Sequence, residues 1–84
     1  MTSPLQLVSR QFPLLQRQVT WRFEHDEIFR ELCQDYESCV ETITRLQTAE
    51  NSPEALRREY GALRLRLETE LLGYLQHTED PGLQ

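Results

Sequence analysis

The chain has 84 residues, with Leu the commonest, three glycines, no lysine and a net charge of −5, which bounds it to one small domain and favours helices over strands. The charge is uneven: residues 1–23 carry Arg10, Arg17 and Arg22 and no acid, whereas residues 24–41 set seven acids against Arg30, a poor surface for phosphate backbones, so nucleic acid is disfavoured. No apolar run approaches the ~20 residues of a spanning helix and the N-terminus lacks a signal-peptide pattern, so no membrane and a cytoplasmic setting are expected.

The first element in chain order is an N-terminal arm, residues 1–19. Ser3-Pro4 reads as an N-cap followed by proline at the first helical position. Leu5, Val8 and Phe12 fall at i, i+3, i+7, and Pro13 then interrupts, because the residue before a proline avoids helical angles. Leu14, Leu15, Val19, Trp21 and Phe23 follow without a clean period. The pattern predicts one or two short helical turns folding back on the rest, with disorder as the alternative. Phe12, Trp21 and Phe23 are expected to pack on the hairpin that follows or on a partner chain, since three large rings rarely stay wet.

A helix is predicted from 20 or 26 to 48. Phe29, Leu32, Tyr36, Cys39, Ile43 and Leu46 follow the 3-4-3-4-3 spacing of a heptad seam. Residues 48–51 form a polar break, after which Ser52-Pro53-Glu54 reads as N-cap, first-turn proline and first-turn acid. A second helix over 53–76 places Leu56, Tyr60, Leu63, Leu67, Leu71, Tyr74 and Leu75 on one face. So short a connection makes the two helices antiparallel neighbours. Folding at 49–52 sets Ile43 beside Tyr60, Cys39 beside Leu63, Tyr36 beside Leu67, and Phe29 beside Tyr74 or Leu75. The expected fold is thus all-α: one 84-residue domain with arm (1–19), hairpin (20–76) and flexible tail (77–84).

These residues resemble the YdcH-like family of small bacterial helical-hairpin proteins of unassigned function. The counterparts of the family pattern are Phe12-Pro13, Asp26 with Phe29 and Leu32, Ile43 with Leu46, and Leu65-Arg66-Leu67 followed by Glu70-Leu71 and Leu75. The match covers about residues 12–75. It departs from the family in lacking lysine and in placing Tyr36 where a histidine is common. The resemblance implies a bacterial helical hairpin and carries no catalytic residue across.

Chemistry-bearing groups are sparse. Cys33 and Cys39 lie six apart, ~9 Å along a helix axis, beyond disulfide reach; they read as small buried residues in a reduced compartment. His25-Asp26-Glu27 and His77 with Glu79-Asp80 fall at the open end of the hairpin, but a metal needs converging ligands on a rigid frame, and exposed histidines are the expectation. Neither cysteine is placed beside a histidine, and no glycine-rich phosphate loop or isolated buried carboxylate pair is expected. No enzyme activity, metal or cofactor is expected.

Two surfaces on the second helix remain. Ala62, Leu65, Thr69 and Leu72 form an apolar stripe turned away from the first helix, because Leu65 lies ~200° around from both Leu63 and Leu67. It needs a cover, either the arm or a twofold-related hairpin making a four-helix bundle; the dimer is favoured. Gly61, inside the helix, is read either as a close approach of another backbone or as tolerance. Arg57 and Arg64 share a basic face with interleaved acids. The function expected is a non-enzymatic protein-protein interaction module, self-associating, adaptor-like or chaperone-like, with an unidentified protein partner. The alternative is an RNA- or nucleoprotein-binding factor using the arginine face.

Overall fold

The computed structural model describes residues 3–78. Among these the chain forms α1 (Pro4–Gln11), a 3-10 turn (Pro13–Leu15), α2 (Gln16–His25), α3 (Glu27–Thr48) and α4 (Glu54–Gln76), without a strand. The fold is all-α, with the long helices α3 and α4 packed together as the predicted hairpin. Their bounds match the later of the two expected starts, because a backbone break at Asp26 separates α2 from α3. Residues 79–84, with most of the expected tail, lie outside the described residues.

The arm is ordered helix. Ser3 and Gln6 form a reciprocal capping box: the Gln6 amide donates to Ser3 Oγ at 3.2 Å and the Ser3 amide to Gln6 Oε1 at 3.5 Å. Pro13 ends α1 as expected, and the chain turns tightly into α2. Its apolar side then packs chiefly on α3, with Val8 and Val19 fully buried in one core with Phe29, Cys33, Tyr36, Cys39, Leu67, Leu71 and Leu75. Phe12 and Phe23 pack against that core. Trp21 does not: it is 40% exposed and stacks on His25, ring centroids 4.5 Å apart.

Asp26 makes the break between α2 and α3. Its Oδ1 accepts from the amides of Ile28 (3.0 Å) and Phe29 (3.2 Å), while Oδ2 pairs with Arg22 at 3.0 Å, so one carboxylate caps α3 and anchors α2. Arg30, on the next turn, donates to the carbonyls of Phe23 (3.0 Å) and Glu24 (3.4 Å). Those are among the carbonyls that the end of α2 would leave without partners.

The hairpin register is the expected one. The Phe29 and Tyr74 rings meet edge to face at 5.9 Å, the Tyr36 hydroxyl donates to Glu68 at 2.6 Å, and the Cys39 thiol lies 3.5 Å from the Tyr60 carbonyl oxygen. The turn differs in one detail. Ser52 does not cap α4, whose N-cap is Pro53. Its hydroxyl donates instead to the Leu46 carbonyl at 2.7 Å, satisfying the end of α3.

Candidate functional site

Two helices alone cannot bury both faces of either, so the surfaces left uncovered are the places to look for function. On α4, Ala62, Leu65 and Thr69 are exposed and Leu72 is half-buried. Leu65 is 63% exposed. The arm leaves this stripe open because it lies over α3, with a lesser contact between α2 and α4. A Cβ added at Gly61, beside the stripe, would meet nothing within 4 Å; no backbone of the described chain approaches it.

The basic face is half neutralised. Arg57 is exposed, but Arg64 lies 3.4 Å from Glu68, and neighbouring Arg58 3.1 Å from Glu54. Glu68 also accepts from Tyr36, so Arg64, Glu68 and Tyr36 form one chain of contacts joining α4 to α3. Burial, and next the hydrogen bond to Glu68, push the Tyr36 hydroxyl's pKa up.

Both cysteines are free and buried. Cys33 stands outside the 3-4-3-4-3 seam of α3, yet has no exposed surface, because it is enclosed in the core that includes Val8 and Val19. Burial pushes its thiol up to about 12 from an ordinary 9.0, and burial also raises Cys39. Both shifts favour the protonated thiol over the thiolate.

At the open end both histidines are exposed, and among the described residues no three His, Cys, Asp or Glu side chains converge as metal ligands would. Glu79 and Asp80 lie outside the described residues. What gathers there instead is Arg22. Besides Asp26, it donates to Thr78 and reaches the Tyr74 and Trp21 rings, 5.8 and 6.0 Å from their centroids. No helix among the described residues is long and apolar enough to cross a membrane. No family model, curated protein or solved structure matches the chain.

The sequence pointed to the α4 stripe and the arginine face. It missed Arg22 as a junction, although Arg22 and Asp26 stand at the i, i+4 spacing of a helix pair.

Proposed function

We propose that the protein is a non-enzymatic helical interaction module, adaptor-like, that self-associates through the back of α4. One observation carries this reading: α4 is apolar on two opposite faces, and along the second of them Ala62, Leu65 and Thr69 are exposed and Leu72 is only half-buried. A twofold-related copy would lay its α4 against this one and complete a four-helix core. The shape adds support. The described chain measures 52 × 24 × 22 Å, and from Val40 to Arg66 it has no buried residue. The end of the hairpin therefore projects as a bare helix pair. Kinship with the YdcH-like hairpin proteins, whose likeness covers about residues 12–75, is part of this proposal.

Sedimentation equilibrium tests it. The wild-type chain is expected as a concentration-dependent dimer, and Leu65→Glu, at an exposed position that leaves the core intact, as a monomer with unchanged helix content. Arg57→Glu should remain dimeric. A wild-type chain that stays monomeric over a hundredfold range of concentration overturns the reading of self-association.

A further inference from the structure

The α3–α4 seam is open along one side. A hollow of about 300 Å³ lies between Asp35 and Thr42 on α3 and Tyr60, Leu63 and Leu67 on α4, with Cys39 in its wall. A second hollow of about 540 Å³ opens beside Glu70, Gly73, Tyr74 and His77, next to Arg22. The two hollows share no lining residue, but they lie in line along one face of α4 as an interrupted channel. Leu63, Glu70 and His77 recur every seventh residue on α4, as Ile28, Asp35 and Thr42 do on α3.

The floor of this channel is apolar, and Ile28 at its edge is 63% exposed. Its rims are acidic. Glu31 stands one turn before Asp35, Glu59 one turn before Leu63, and Glu70 one turn after Leu67; all four carboxylates are exposed. Opposed to them are Arg66 on the α4 rim, Arg45, which donates to Thr42 at 3.5 Å, and, at the open end, Arg22, whose charge is already met by Asp26. The basic arm does not fill the channel, for its Val8 and Val19 join the core while Glu31 and Asp35 stay exposed. A second copy fits poorly, because pairing the channel with itself would set acidic rim against acidic rim.

We propose that this channel receives a basic amphipathic helix of a partner protein. The helix would lay its apolar stripe against Ile28, Leu63 and Leu67, with Arg or Lys on both sides meeting Glu31, Asp35, Glu59 and Glu70. From Tyr60 to His77 the channel has the length of a helix of about 18 residues. The inference rests on the reading of the chain as an interaction module, but it uses a face other than the self-association stripe.

The probe is a synthetic helical peptide of about 18 residues, with Leu at i, i+3, i+4 and i+7 spacing and Lys flanking the stripe. Its control has Glu in place of each Lys. Titration calorimetry and amide NMR shifts on the full chain should show the Lys peptide binding and perturbing Asp35, Thr42, Leu63 and Glu70. Affinity should fall roughly tenfold as salt rises from about 50 to 500 mM, as screening requires. Asp35→Arg with Glu70→Arg, both exposed positions, should reverse the preference between the peptides. Equal binding of the two peptides, shifts confined to the Ala62–Leu72 stripe, or no heat from either peptide would each overturn the proposal. If the channel fails while sedimentation still shows the dimer, the interaction-module reading stands without it.

Discussion

Single side chains decide where these helices start and stop. Asp26 offers one oxygen to two amides of α3 and the other to Arg22, so a residue that could have continued a helix ends one and starts the next. Ser52 shows the reverse: cap chemistry was legible in the sequence, but its hydroxyl turned back to Leu46 instead. Cys33 gives the clearest consequence at this scale. Its thiol is raised from 9.0 to about 12 by burial. The folded state therefore keeps a proton that the unfolded chain releases above about pH 9, and stability that is fully present below that pH falls as pH rises toward about 12. Tyr36 is raised as well, so its loss acts in the same direction. Urea unfolding of wild type and Cys33→Ala between pH 8 and 11 checks this: the wild type should lose stability with pH more steeply than the variant.

At the scale of elements, the hairpin is held by one packed end. Every buried residue of α3 lies between Phe29 and Cys39, and every buried residue of α4 between Leu67 and Leu75. Leu67 sits at the edge of that packed half, 7% exposed and among the core. Leu67→Ala should cost about 2–5 kcal/mol, the range for truncating a buried leucine. Denaturant unfolding at a fixed protein concentration measures it; a cost below about 0.5 kcal/mol, the scatter of surface changes, would place Leu67 outside the core. The α3 and α4 stripes were readable because each repeats at helical spacing over about five turns. The arm was legible only in outline, in its Ser3-Pro4 start and its break at Pro13, because its two helices are short and only docking on α3 makes Leu5, Val8 and Val19 one surface.

Over the whole molecule, packing is graded along the long axis. One end combines the arm with the hairpin, whereas Ile43, Leu46, Leu56, Tyr60 and Leu63 toward the other end are only half-buried. Hydrogen exchange should follow that grading. Amides of residues 29–39 and 67–75 should approach global protection, and those of 43–60 should exchange faster by local opening. Uniform protection along both helices would mean that a second copy encloses the bare end as well as the back of α4.

The sequence by itself determined the two long helices, their antiparallel register and the second apolar stripe on α4. All of these are periodic features that spacing alone specifies. Tertiary structure decided which stripe the arm would cover. Val8 and Val19 could have closed over Leu65; they join the core with Cys33 instead, leaving Leu65, Glu31 and Asp35 exposed. The reason is physical. Where a short segment docks depends on the shape and area it buries against every available face at once, and that comparison exists only after the hairpin has formed.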